Sequence, residues 1–205
     1  MKILCVSDQI DPLIYTNSLK QSHADVDLIL SAGDLPTDYL EFIASTLNKP
    51  LLYILGNHHV SDPRPSGAFS VEGRVHHREG CIVAGLGGIM RCNQGENEYT
   101  NFRMCLHILG LLPGLLFNRI FRGRFLDILL THASPRGIHD KEDAPRWGFK
   151  CFLRFMRIFK PKYLVHGHIH LYDLSEVRTS KYHDTLVVNA YGYYLIDMGK
   201  KSDSP

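Results

Sequence analysis

Short apolar runs, each ending in glycine or a polar residue, recur along the first third of the chain and limit its fold more than any other feature. They cover residues 1–7, 27–32 and 51–55. The first ends at Asp8, the second at Gly33-Asp34 and the third at Gly56-Asn57. Apolar runs of this length, bounded in this way, are typical of fully buried strands. The chain therefore predicts at least three strands packed in the interior of a domain.

A helix is predicted between the second and third of these strands. Within residues 37–47, Leu40, Ile43 and Leu47 recur at helical spacing. Strand, helix and strand in succession predict a parallel sheet covered on both faces, because the crossover helix has to pack on the sheet.

The rest of the chain predicts further strands and two longer helices. Strand-like runs occupy residues 81–86, 125–130 and 163–165. Residues 96–117 predict a helix broken near Gly110 and Gly114, and residues 145–159 predict another. Residues 61–80 are expected to form a loop, and residues 174–198 alternate like two or three antiparallel strands.

The length suits a single domain. A chain of 205 residues can build one sizeable core and is short for two. We expect one α/β domain over residues 1–200 and a polar tail at residues 201–205.

Side chains that bind metals follow the predicted strands one after another. They are Asp8, Asp34, Asn57, His58, His132, His168 and His170. In open α/β sheets, ligands bind at the carboxyl ends of the strands, so the topology would bring these residues together. The set offers carboxylate, amide and imidazole ligands and suits Mn²⁺, Fe or Zn²⁺. Two such ions, about 3.5–4 Å apart, can hold both the attacking and the leaving oxygen of a phosphoryl transfer.

Five short motifs, in this order, resemble those of the calcineurin-like metallophosphoesterase superfamily. The superfamily pattern is D-x-H, GD-x-x, GNH-D/E, a lone histidine and GH-x-H. The corresponding strings here are SDQID, AGDLP, LGNHH, LTHASP and HGHIH. The resemblance implies a four-layer αββα sandwich, with two mixed sheets flanked by helices, and a dinuclear metal site between the sheet edges.

The resemblance also implies a role for each matched residue. Asp34 would bridge the two ions. The remaining ligands would be Asn57, His132 and His168 at one ion and Asp8 and His170 at the other. His58 would be the catalytic group near the leaving group, as an acid or a phosphate-binding group, and a metal-bound hydroxide would be the nucleophile. The implied cofactor is a pair of divalent ions, Mn²⁺ or Fe first, with Zn²⁺ as an alternative.

Two positions depart from the superfamily pattern. Ile10 stands where D-x-H has histidine and cannot bind a metal, so one site would hold its ion more weakly. Asp11 follows directly and either substitutes as a ligand or caps the turn before Pro12. His59 stands where an acid usually orients the preceding imidazole, which affects the basicity of His58.

Charge is divided unevenly along the chain. Residues 1–62 hold eight acidic and three basic residues, whereas residues 63–205 hold thirteen acidic and twenty basic ones. Lys150, Arg154 and Arg157 share one face of a predicted helix. A solvated amphipathic helix is the simpler interpretation of this face. Attraction of nucleic acid or an anionic lipid is the alternative, although no nucleic-acid-binding motif accompanies it.

Cysteine usage and the apolar segments bear on location. Five dispersed cysteines without a CxxC pair favour a reduced, cytoplasmic protein. The N-terminus does not read as a signal peptide. The longest apolar stretch, residues 106–117, is interrupted by Gly110, Pro113 and Gly114 and is shorter than a bilayer requires. We therefore expect no transmembrane segment.

The leading hypothesis is metal-dependent hydrolysis of a phosphate mono- or diester. A second hypothesis, motivated by Ile10 and His59, is a weakly active or inactive binding scaffold on the same fold. A third is a nuclease that uses the basic face at residues 146–162 to hold RNA or DNA. The other predicted ligands are all retained, which favours the enzyme over the scaffold.

Overall fold

A computed structural model describes residues 1–58, 65–93, 95–173 and 176–199. Its strands are β1 Lys2–Ser7, β2 Val26–Ser31, β3 Leu51–Tyr53, β4 Phe69–Ser70, β5 Val75–Arg78, β6 Cys81–Leu86, β7 Ile89–Met90, β8 Glu98–Tyr99, β9 Ile128–Thr131, β10 Tyr163–His166, β11 Thr179–Tyr182, β12 Thr185–Asn189 and β13 Gly192–Asp197. Its helices are α1 Leu19–Ser22, α2 Thr37–Leu47, α3 Asn101–Arg122 and α4 Lys150–Phe159, with a 3₁₀ turn at Ala144–Arg146.

Two mixed sheets form the centre of the molecule. The first has the strand order β13-β1-β2-β3-β4 and the second β11-β12-β10-β9-β6-β5. β1, β2 and β3 run parallel, as do β6, β9, β10 and β12. Parallel strands end at the same edge, so the polar residues that follow them gather at one end of the two sheets.

Successive side chains of a strand point to opposite faces of its sheet. The apolar ones therefore pack in three layers of core, one between the sheets and one on the outer face of each. Ile3 and Cys5 of β1 face the second sheet and pack in one cluster with Ile128 and Val165. Leu4 and Val6 of the same strand face the other way, into the cluster beneath α1 and α2. The outer face of the second sheet is covered by α3 and α4. The result is the expected αββα sandwich.

A buried carboxylate links the second sheet to its flanking loops at the end opposite the polar cluster. Asp127 directly precedes β9, and its side chain is only 2% exposed. It accepts hydrogen bonds from Ile82 N at 3.0 Å and Arg124 Nε at 2.9 Å, and Lys162 Nζ lies 3.2 Å away. Paired in this way, a charge can be buried without a large penalty.

α3 differs from the sequence expectation, because the predicted break near Gly110 and Gly114 is wrong. The helix runs unbroken from Asn101 to Arg122 with Pro113 inside it. Proline lacks the N–H that would bond to the Leu109 carbonyl, but Leu109 lies on the exposed side, where water can replace that donor. An added Cβ on Gly114 would lie 3.0 Å from the Val75 side chain, so this glycine allows the helix close to β5.

Because α3 is longer than expected, its apolar segment is also long enough to span a membrane. By length and composition α3 could cross a membrane, whereas the sequence indicated a stretch too short to do so. However, Met104, Leu111 and Leu115 of α3 pack in the core against the second sheet. One side of the helix is therefore part of the folded domain.

One further segment departs from expectation. Residues 61–80 were expected to form a loop, but their described part contains β4 and β5. The described part of the tail forms strands, as expected. β11 and β12 pair antiparallel and extend the second sheet, where β12 also runs parallel to β10, and β13 crosses to the first sheet and pairs antiparallel with β1. The polar tail expected at residues 201–205 lies outside the described residues.

Candidate metal centre

Two aspartates sit at neighbouring strand ends in an unusual backbone conformation. Asp8 follows β1 with φ 62°, and Asp34 comes shortly after β2 with φ 57°. Left-handed residues other than glycine are uncommon and concentrate at functional sites. Asp8 Oδ2 accepts hydrogen bonds from Ser7 Oγ at 2.5 Å and from His168 N at 2.8 Å. Asp34 Oδ1 accepts from His58 N at 3.1 Å. Both carboxylates are thus held in place by neighbouring motifs.

Glycines in the motifs leave the space that these carboxylates occupy. A Cβ on Gly56 would overlap the Asp34 carboxylate, and a Cβ on Gly167 would overlap Ser7 Oγ and Asp8 Oδ2. A Cβ on Gly33 would lie 2.9 Å from His132 Nδ1. The glycines of the GD, GN and GH strings are therefore needed for the close approach of the backbone to the site.

His132 connects the two sheets at the centre of the site. Its Nδ1 donates to the Ala32 carbonyl at 2.7 Å, and its Nε2 lies 3.1 Å from both Asn57 Oδ1 and Asp34 Oδ2. Burial alone would lower the pKa of His132, but the hydrogen bond to Asp34 and the charges of Asp8 and Asp34 raise it to about 9. A bound cation at this point would take the place of the Nε2 proton.

His168 is held as a neutral imidazole. Its Nε2 donates to the Pro145 carbonyl at 2.8 Å, so Nδ1 is the ring nitrogen that could bind a cation. Burial, together with the charge of His132, lowers the pKa of His168 to about 4. Metal-binding histidines commonly use their second ring nitrogen for such an anchoring bond.

The ligand atoms of three predicted residues cluster tightly. One atom each of Asp8, His132 and His168 lies within 4.8 Å of the other two. Asp34 and Asn57 join this group through His132 Nε2. Carboxylate, amide and imidazole donors around a glycine-lined space fit a divalent ion such as Mn²⁺, Fe²⁺ or Zn²⁺.

His170 lies at the open side of the cluster. Its side chain is 44% exposed, and its Nε2 is 3.9 Å from Asp8 Oδ1. The Tyr191 ring stacks on the imidazole at 4.7 Å between centroids, and the Tyr172 hydroxyl lies 3.1 Å from Nδ1. Sequence reasoning missed Tyr191 because it belongs to no motif and reaches the site only through the crossing of the tail.

The first altered position, Ile10, lies at the exposed rim of the site. Ile10 is 42% exposed. Asp11 Oδ1 accepts from Leu13 N at 2.9 Å, and the Asp11 carbonyl accepts from Ile14 N and Tyr15 N, so Asp11 organises the turn around Pro12. The His58 side chain is exposed. His59, the second altered position, lies outside the described residues.

Two buried histidines, His139 and His166, are hydrogen-bonded to each other next to the GHIH turn. His166 Nδ1 donates to the Gly167 carbonyl at 2.9 Å, so its Nε2 accepts from His139 Nδ1 at 2.8 Å. His139 Nε2 in turn accepts from Ser180 Oγ at 2.9 Å. Burial lowers the pKa of His166 to about 3 and that of His139 to about 4, so both are neutral at pH 7. No motif in the sequence joins these residues.

A sequence model of the calcineurin-like phosphoesterases matches residues 1–172. This chain belongs to that family. The resemblance inferred from the five motifs is confirmed, and metal-dependent phosphoester hydrolysis is the chemistry of the family. No curated protein sequence matches the chain significantly.

Solved structures share the fold at low sequence identity. One crystal structure matches with a TM-score of 0.65 at 11% identity, over 97% of this chain and 95% of its own. TT1561 of Thermus thermophilus matches with a TM-score of 0.59 at 13% identity, over 93% and 88%. A hypothetical protein from the same organism gives 0.50 at 13% identity, over 92% and 75%. These similarities confirm the predicted sandwich fold.

Proposed function

We propose that this chain hydrolyses phosphate mono- or diesters with two divalent metal ions at the cluster around Asp8, Asp34 and His132. The observation that carries the proposal is the convergence of Asp8, His132 and His168, whose ligand atoms lie within 4.8 Å of one another. This convergence occurs at the strand ends of a calcineurin-like phosphoesterase domain.

The residues divide into two groups around Asp34. Its carboxylate lies between the His58 amide and His132 Nε2 and would bridge the ions. Asn57, His132 and His168 would hold one ion, and Asp8 and His170 the other. When bound, such ions neutralise the charge of the phosphate and lower the pKa of a water molecule. The family implies divalent metals, and we propose Mn²⁺ or Fe first and Zn²⁺ as the alternative.

The protein's own groups fix the geometry and the protonation of the ligands. The Ala32 carbonyl holds the proton of His132 on Nδ1, and the Pro145 carbonyl holds that of His168 on Nε2. Each imidazole therefore offers the opposite nitrogen to a cation. His58 stands at the exposed rim, where we propose that it binds the phosphate or protonates the leaving group.

The ion beside Asp8 and His170 is proposed to bind more weakly. Ile10 supplies no ligand, and Asp11 Oδ1 is engaged with the Leu13 amide.

We also propose a cytoplasmic location, which the five free cysteines support.

The test is metal analysis combined with an ester screen. The Mn²⁺-loaded protein is assayed on p-nitrophenyl phosphate and bis-p-nitrophenyl phosphate, beside Asp34→Asn and the exposed control Asp38→Asn in α2. We expect the first variant to lose at least about 100-fold in activity and the second to keep it. If the protein binds only trace metal and Asp34→Asn leaves the activity unchanged, the enzyme hypothesis is refuted. Metal binding without hydrolysis of either ester would favour the inactive scaffold, and cleavage confined to RNA or DNA would favour the nuclease.

A further inference from the structure

The outer side of α3 is apolar where a surface helix is normally polar. The buried side carries Met104, Leu111, Leu115 and Asn118. The opposite side, half a turn away, carries Phe102, Leu106, Leu109, Pro113, Leu116, Phe117 and Ile120. Six of these seven side chains are between 49% and 73% exposed. Isolated exposed apolar residues are ordinary, but a continuous row along a 22-residue helix marks an interaction surface.

The apolar surface continues onto α4. Ile158 of α4 is 56% exposed, and a groove of about 320 Å³ runs between the two helices. Its lining is apolar, including Ile108, Leu112 and Phe159, with Arg154 as its one charged residue. We call the exposed sides of α3 and α4, with this groove, the α3–α4 face.

Every formal charge on these two helices is positive. The cations are Arg103, Arg119, Arg122, Lys150, Arg154 and Arg157, and neither helix contains an acidic residue. On α3 the arginines flank the apolar row and are absent from its middle. Long cationic side chains beside an apolar face can reach headgroup phosphates while their stems stay against hydrocarbon.

We propose that the α3–α4 face docks on an anionic lipid bilayer, with α3 lying in the plane of the interface. A helix about 33 Å long that is apolar on its outer side and flanked by arginines has the pattern of interfacial helices. α3 lies on the membrane and does not cross it, because Met104, Leu111 and Leu115 remain in the protein core. A second copy fits this face poorly, because a two-fold contact would bring the same cations against each other.

The docking face and the metal centre are joined through one loop. At the N-terminal ends of the two helices, Lys150 N donates to Asn101 Oδ1 at 3.0 Å. The segment just before α4 carries Pro145, whose carbonyl anchors His168. Docking would therefore hold this rim of the metal centre beside the headgroups.

The test is vesicle sedimentation of the full chain. Vesicles of phosphatidylcholine alone are compared with vesicles that contain phosphatidylglycerol, at low and high salt. The variant Phe117→Ser/Ile120→Ser removes two exposed side chains from the apolar row, and Leu13→Ser/Val177→Ser is its matched control elsewhere on the surface. We expect wild type to bind the anionic vesicles at least about tenfold more tightly than the neutral ones, and the α3 variant to lose at least about tenfold.

Charge variants test the electrostatic part. Arg154→Gln/Arg157→Gln should weaken binding several-fold and reduce its salt dependence, whereas Lys20→Gln/Lys181→Gln should change neither. The proposal is overturned if wild type stays in the supernatant with anionic vesicles, or if Phe117→Ser/Ile120→Ser binds them as wild type does. A dimer that this variant abolishes, with no vesicle binding, would overturn it in favour of a second copy.

Discussion

The buried His139–His166 pair makes the stability of this protein sensitive to mild acid. His139 has φ 61° and is hydrogen-bonded at both ring nitrogens, to His166 and to Ser180. Burial lowers its pKa to about 4 from an ordinary value of 6.5. Between pH 6.5 and about pH 4, His139 therefore binds a proton in the unfolded chain but not in the folded chain. Stability falls as the pH drops from 6.5 towards 4.

The size of the effect follows from these two pKa values. Between pH 7.5 and pH 5, a shift from 6.5 to about 4 removes about 2 kcal/mol from the free energy of unfolding. His139→Asn removes this titration, and asparagine tolerates the left-handed backbone well. The variant should therefore lose about 2 kcal/mol less than wild type over the same pH range.

Urea unfolding followed by circular dichroism at pH 7.5 and pH 5 measures this difference. His183→Asn is the matched control, because His183 also has positive φ, 52°, but its side chain is exposed. The control should follow wild type at both pH values. If His139→Asn also loses as much stability as wild type between pH 7.5 and pH 5, His139 is not held neutral and the reasoning is refuted.

Three further substitutions test the site and the core. Gly56→Ala should weaken Mn²⁺ binding about tenfold or more in calorimetry, because its Cβ would displace the Asp34 carboxylate; Gly110→Ala, with open space around the added Cβ, should leave the affinity unchanged. Ile10→His should tighten the weaker metal site, and unchanged stoichiometry and affinity would contradict that assignment. Asp127→Asn should lower the free energy of unfolding by about 3 kcal/mol in urea titrations, since its two cationic partners and a backbone amide lose a charged acceptor; a loss below about 1 kcal/mol would contradict this.

The strand cores and the polar strand ends could be predicted because their signals are local. β6 was predicted with the bounds that the structure has, and α2 likewise. The glycine-polar strings mark the ends of buried strands, and parallel pairing then puts Asp8 and Asp34 at one edge of the first sheet and His132 and His168 at one edge of the second. Packing of the two sheets on each other, rather than the spacing in the sequence, brings Asp8 and His132 together.

The features that escaped prediction depend on contacts between distant segments. The break expected in α3 does not occur, because Leu109 faces solvent and Gly114 faces Val75, and neither fact is visible in the helix's own sequence. The crossing of β13 to the first sheet depends on its pairing with β1 at the other end of the chain. The same holds for the pairing of His139 with His166.

The most direct test of the central claim is a crystal structure of the Mn²⁺-loaded protein with anomalous diffraction data. We predict one strong anomalous peak beside Asn57, His132 and His168, and a weaker one beside Asp8 and His170. Anomalous density confined to other parts of the molecule, or none at all with Mn²⁺ in excess, would contradict the assignment of this cluster as the metal centre.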